Sequence, residues 1–243
     1  MKRLHLTKKD AIYLTIIGVL ILALVAALVL PPVFRRKKET AVPTYYETKC
    51  DAFHVQNANL SYGQIVFIGD SITDLYPLDY YYADLPLAAY NRGISGDTTS
   101  GVLERLYVSA YELAPSKIVL MIGTNDVNGH DTVKNIAERY EEILSKLRTE
   151  LPNAEIYCIS VIPQNEVLET YSSINVAKST ERIHALNEKI EALCPAFGAT
   201  YLDLYPLLAD ENDRLIRTYS DDGIHLNAEG FAVWTALVKP YLQ

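Results

Sequence analysis

Ile65-Val66-Phe67-Ile68-Gly69-Asp70-Ser71 is the stretch that decides the fold of this 243-residue chain. Four large apolar residues in succession read as a strand buried on both faces, because a strand with one wet face would alternate. The run stops at a glycine, and a serine follows that can open a helix. The same grammar recurs downstream, with further candidate strands at 88–91, 117–122, 155–161 and Thr200–Leu202. Helical spacing separates them. Val133, Ile136, Tyr140, Ile143, Leu144 and Leu147 recur at three or four residues, with Asp131 as candidate N-cap and Pro152 beyond the end. Ile183, Leu186, Ile190 and Leu193 repeat the spacing before Pro195, and Phe231, Trp234, Leu237 and Val238 mark a last helix starting near Asn227 or Asp222. Alternating strands and helices predict a three-layer α/β/α sandwich on a five-stranded parallel sheet with right-handed crossovers. Ligands of such sheets bind beyond the carboxyl ends of the strands. Ser71, Gly93 and Asn125 each fall just after a predicted strand, so the topology alone brings them to one edge.

Near the C-terminus, Asp222-Gly223-Ile224-His225 sets a carboxylate three residues before an imidazole. A serine is a poor nucleophile until a histidine takes its proton, and the histidine needs a carboxylate to fix its tautomer. Ser71, Asp222 and His225 supply these parts in that chain order. Two further segments, Asn91-Arg92-Gly93 and Gly123-Thr124-Asn125-Asp126, complete a set of four ordered blocks. Together they resemble the blocks of the GDSL/SGNH hydrolase family, over a stretch from about Gln64 to Gln243. The resemblance implies the flavodoxin-like SGNH hydrolase fold and a serine esterase without a cofactor. By the same resemblance Ser71 is the nucleophile, His225 the base and Asp222 its orienting carboxylate. The oxyanion donors it implies are the backbone N–H of Ser71, the backbone N–H of Gly93 and the side-chain amide of Asn125. The local pattern G-D-S-I-T departs from the G-x-S-x-G elbow of α/β-hydrolases.

Each of these residues has a blander reading. Ser71 can serve as a helix cap, Gly93 as a turn glycine, Asn125 as a turn brace, and Asp222 as an acidic turn residue, with Asp221 as a competitor for the carboxylate role. Asp70, Asn91, Arg92 and Asp126 read as loop braces. His130 reads as a surface histidine, His5 lacks a carboxylate three residues earlier, and His54 and His184, which follow Asp51 and Glu181 at that spacing, do not sit in a comparable loop. Tyr76, Tyr80, Tyr81, Tyr82 and Tyr90 crowd the segment after the nucleophile, where packing competes with stacking on a sugar or lining an acyl pocket.

Ahead of this domain (63–243) lie a basic tail (1–10), an apolar run (11–30), and a basic flank and linker (31–62). The run of 20 residues is broken only by Tyr13, Thr15 and Gly18 and matches a hydrocarbon core of roughly 30 Å at about 1.5 Å per residue. The apolar region of a cleaved signal is usually about 7–15 residues. A small-residue site at Val25-Ala26-Ala27 lies inside the run, so an uncleaved signal-anchor helix is expected. Lys2, Arg3, Lys8 and Lys9 before it nearly balance Arg35, Arg36, Lys37 and Lys38 after it. The short basic tail favours a cytoplasmic N-terminus, a single-pass position in the cell membrane, and an extracellular catalytic domain.

The net charge of −8 divides sharply: residues 1–38 hold eight basic groups and one acid, so residues 39–243 carry −15. An acidic domain argues against nucleic acid or an anionic bilayer as its main partner. Cys50, Cys158 and Cys194 show no C-x-x-C or metal-ligand spacing. Cys158 lies in an apolar run and is expected buried, and a Cys50–Cys194 disulfide is open to an exported domain. The expected substrate is a small-molecule or glycan ester, with O-acetyl groups on cell-surface glycans favoured. Lysophospholipase or thioesterase activity is the runner-up, and a non-catalytic glycan-binding pseudoenzyme the rival from another class.

Overall fold

The computed structural model describes residues 43–165 and 176–243, with Lys9, Tyr13 and residues 15–21 ahead of them. The chain divides into two units, Met1–Pro43 and Thr44–Gln243. In the first, residues 15–21 are helical; most of the 11–30 run and of the basic flank lies outside the described residues. Among the described residues no helix is long and apolar enough to cross a membrane.

The second unit is built on a parallel sheet of β1 (Ile65–Gly69), β2 (Ala89–Gly93), β3 (Lys117–Met121), β4 (Glu155–Ile159) and β5 (Thr200–Leu202). Its order is β2-β1-β3-β4-β5. The continuous apolar runs are explained by cores on both faces. Val66, Ile68, Ile118, Leu120, Ile156 and Cys158 meet the helices α3 (Thr99–Ser109), α5 (Val133–Glu150) and α6 (Val176–Leu193). Ile65, Phe67, Val119, Met121, Tyr157 and Ile159 meet α7 (Ala228–Leu242) and the aromatic segment beyond β1. Two shorter helices, α2 (Ser71–Asp74) and α4 (Thr124–Asn128), leave the carboxyl ends of β1 and β3. Strand order reverses between β1 and β3, the point at which such sheets open a crevice for ligands.

Three expectations need correction. The stretch 31–62 is not all linker: α1 (Tyr45–Asn57) occupies it, closed by a capping box in which Thr44 and Glu47 exchange hydrogen bonds. The compact unit therefore begins at Thr44 and not at residue 63. The N-cap of α5 is Thr132, whose hydroxyl accepts from the Asn135 N–H (3.1 Å), while Asp131 braces the same turn from one residue earlier. All three cysteines are free thiols, and Cys194 neighbours Cys158 and not Cys50. Asn227, one of the two residues expected near the start of the last helix, caps it by accepting from the Gly230 N–H (3.2 Å).

Candidate active site

Ser71 is the first residue of α2 because Asp70 caps that helix, its Oδ1 accepting the Ile72 N–H (3.0 Å). Asp70 is fully buried, and burial pushes its carboxyl up to about 6, against the pull of the Ile72 N–H, the Thr124 hydroxyl and nearby His225. The other end of the helix is held by Asn91, whose amide donates to the carbonyls of Thr73 (2.6 Å) and Tyr76 (3.1 Å). The nucleophile candidate is thus fixed by polar groups at both ends of a single turn.

His225 arrives from the other end of the sequence. Asp222 folds its own loop, its Oδ1 accepting the N–H groups of Ile224 (2.9 Å) and His225 (2.8 Å). Its Oδ2 meets His225 Nδ1 at 2.6 Å, and His225 Nε2 meets Ser71 Oγ at 2.8 Å. An Nδ1–H donating to the carboxylate leaves the Nε2 lone pair facing the serine hydroxyl, the tautomer that proton removal requires. Burial raises the Asp222 carboxyl, but its bonds from the imidazole and the two backbone N–H groups outweigh that and hold it below the usual range. Asp221 lies outside this chain of bonds, 3.5 Å from the Asn227 amide. His130 is exposed, and His54 and His184 pair with Glu112 and Asp213.

Beyond β2 the chain turns at Ile94-Ser95-Gly96-Asp97, closed by a bond from the Asp97 N–H to the Ile94 carbonyl (3.1 Å). Asn125 donates from its amide to the Asp97 carbonyl (2.8 Å), which leaves its second amide hydrogen unspent. Asp74 accepts from the Ser95 N–H (3.0 Å) and hydroxyl (2.8 Å) at the other side of the turn. Gly96 lies between these anchors with φ of +81° and open space where a Cβ would stand.

Gly93 is not placed as expected. Its N–H donates to Asn91 Oδ1 (2.8 Å) and so is already spent. A Cβ at Gly93 would stand 2.2 Å from the Asp74 backbone nitrogen, so the glycine is there to let β2 approach the nucleophile helix.

The bracing residues behave as braces. Arg92 lies over the Phe53 ring (4.7 Å to its centroid) and donates to Asn57 Oδ1 (2.7 Å), docking α1. Asp126 accepts from the Thr99 hydroxyl (2.6 Å) and from Arg139 (3.0 Å), joining α3, α4 and α5. Sequence reasoning missed Arg105. Its guanidinium pairs with Asp97 (2.7 Å) and donates to the carbonyls of Gly69 (3.0 Å) and Arg92 (2.8 Å), tying the ends of β1 and β2 to the turn. A charged residue on the same helical stripe as Val102, Leu106 and Ser109 was the available signal. The Ser95-Gly96 dipeptide was the signal for the turn. Of the tyrosines, Tyr76 and Tyr82 are buried, with their hydroxyls 2.9 Å apart, while Tyr80 is 79% exposed.

A model of the GDSL-like Lipase/Acylhydrolase family matches residues 67–233, a span that holds every block described above. The chain belongs to this family. The rat platelet-activating factor acetylhydrolase IB subunit alpha2 is 36% identical over 105 residues, 42% of this chain and 45% of the relative. The chain thus spans under half the length of the curated relatives it matches at that identity. A solved structure from Streptococcus pneumonia, named for platelet activating factor, superposes with a TM-score of 0.76 at 30% identity, over 82% of this chain and 93% of the other. An acetylxylan esterase from Geobacillus stearothermophilus shares the fold alone, with a TM-score of 0.59 at 16% identity over 75% and 95% of the two chains.

Proposed function

We propose that this GDSL-family chain is a serine esterase that removes a short acyl group, such as O-acetyl on a carbohydrate, through an acyl-enzyme. The observation that carries the reading is the continuous chain of contacts from Ser71 Oγ to His225 Nε2 (2.8 Å) and from Nδ1 to Asp222 Oδ2 (2.6 Å). Ser71 attacks the ester carbonyl carbon as its proton passes to Nε2, and the Asp222 carboxylate stabilises the imidazolium. The tetrahedral intermediate expels the alcohol, which takes the proton from Nε2. Water then repeats the sequence against the acyl-serine and releases the acid. Charge on the carbonyl oxygen needs donors already in place. The Ser71 N–H and the second amide hydrogen of Asn125 fill that role, and Gly96 replaces Gly93 as the third donor, because the Gly93 N–H is spent on Asn91 while Gly96 has open space beside its Cα.

The acyl class draws support from a relative named as a platelet-activating factor acetylhydrolase. A second reading, a lysophospholipid-like ester, is favoured by a groove of about 570 Å³. Leu75 and Tyr80 from the segment after α2, the cap residue Asn227 and Phe231 of α7 line it. We further propose that residues 11–30 anchor the protein in the membrane with the catalytic unit outside.

In the full chain, Ser71→Ala should abolish hydrolysis of p-nitrophenyl acetate and labelling by a fluorophosphonate while the melting temperature is kept. A variant within tenfold of wild type would refute the relay, and a wild type that takes no label would favour a non-catalytic glycan binder.

A further inference from the structure

Asp74, the last residue of α2, takes no part in the proton relay, yet four donors converge on it. Its Oδ2 accepts from the Ser95 N–H (3.0 Å), the Ser95 hydroxyl (2.8 Å) and the Tyr45 hydroxyl (2.7 Å). Its Oδ1 accepts from Lys49 Nζ (2.7 Å), and its side chain is only 10% exposed. Burial raises the Asp74 carboxyl, but the bonds from Lys49, Tyr45 and Ser95 outweigh it and keep the group below the ordinary range, hence ionised at neutral pH. Tyr45 and Lys49 stand four residues apart on one side of α1, upstream of residue 67, where the family match begins.

The Ser95-Gly96 turn is therefore gripped twice. Asn125 holds it at the Asp97 carbonyl and Asp74 holds it at Ser95, and the Gly96 N–H lies between the two grips. Only an ionised carboxylate can accept all four donors, because it offers acceptor sites on both oxygens. An asparagine would present N–H either to Ser95 and Tyr45 or to Lys49, setting donor against donor in a nearly closed site.

We propose that Asp74 is a positioning residue that sets the Ser95-Gly96 turn for oxyanion binding, with Tyr45 and Lys49 of α1 holding its carboxylate in place. Turnover then depends on a helix outside the family-matched segment. This rests on the reading of the site as an esterase with Gly96 as a donor. A helix that merely docks for stability predicts a lower melting temperature with unchanged turnover per active site.

The test uses the full chain and two readouts. The first is kcat and KM on p-nitrophenyl acetate, with active sites counted by fluorophosphonate titration. The second is amide hydrogen exchange of the peptide covering residues 93–98, which needs no activity. Asp74→Asn should lower kcat on the order of 10- to 100-fold, as misplacement of a reacting group does, with KM changed less than about threefold. It should also speed exchange in that peptide. Tyr45→Phe, which removes one hydroxyl from the half-exposed start of α1, should shift both readouts in the same direction by a smaller factor and serves if Asp74→Asn does not fold. Wild-type kcat in either folded variant, or unchanged exchange at 93–98, overturns the role of Asp74. A wild type without turnover refutes the esterase reading, and the exchange result then decides the positioning claim by itself.

Discussion

Asn125 divides its amide between two tasks. One hydrogen holds the Asp97 carbonyl, and in the proposed mechanism the other meets the charge that develops on a substrate oxygen. Such a donor acts on a transition state and adds little to ground-state binding. Asn125→Ala should therefore lower kcat by about 10²–10³, the usual cost of one oxyanion donor, and leave KM nearly unchanged. Steady-state kinetics and a melting curve on one preparation check this: a variant that melts early but turns over normally would reduce Asn125 to a brace. At this scale the sequence was informative where residue type carries the chemistry. Ser71, Asp222 and His225 are recognisable because a hydroxyl, a carboxylate and an imidazole have few other reasons to occur in that order. The donors were harder, since any residue carries an N–H. Gly93 and Gly96 lie three positions apart after one strand, and only the side chain of Asn91, which consumes the first N–H, separates them. Asp74 was invisible because its partners are distant in sequence and varied in type, and Arg105 showed only as a charge on a buried helical stripe.

The nucleophile helix α2 has four residues, too few to sustain itself, so its neighbours must hold it. Asp70 does so from a fully buried position, with a measurable cost. Its carboxyl titrates near 3.8 when exposed and is pushed up to about 6 in the folded chain. Between those values the folded protein retains a proton that the unfolded chain has released, so stability falls as pH rises through the window and levels off above it. A shift of roughly two units corresponds to about 3 kcal/mol. Asp70→Asn keeps an oxygen for the Ile72 N–H and cannot ionise. Compared with wild type, it should lose about that much of the stability change between pH 4 and pH 7, as measured by urea unfolding at both values. Equal slopes in the two proteins would show that Asp70 stays ionised throughout. The strands β1, β3 and β4 and the three long helices α5, α6 and α7 could be read in advance because each buries a run or stripe of apolar residues. α1 could not. It buries only Phe53 and Asn57 and docks through polar atoms, such as the Tyr46 hydroxyl on the Gly101 carbonyl (2.8 Å) and the Asn57 amide on the Val108 carbonyl (2.7 Å). Its capping box was the one local sign.

On the scale of the whole molecule, a basic, apolar N-terminal segment precedes an acidic catalytic unit, and the two call for different surroundings. The proposed anchor predicts that the full chain stays with membranes through carbonate extraction and retains its N-terminus. A mature soluble form beginning near Leu28 would show that the run is a cleaved signal. Within the second unit, His225 and Asp222 lie three residues apart, whereas Ser71 is 154 positions away from His225. The imidazole and carboxylate enter the site together, on the loop that leads into α7. That helix is seated through Thr235 on the Tyr76 hydroxyl (2.5 Å), the Ala228 carbonyl on the Tyr81 hydroxyl (2.8 Å), and Lys239 on Asp84 (2.6 Å). Trp234, Val238 and Leu242 of the same helix are buried against the sheet. The half of the site that carries the imidazole is therefore a wall of the core and not an appendage to it.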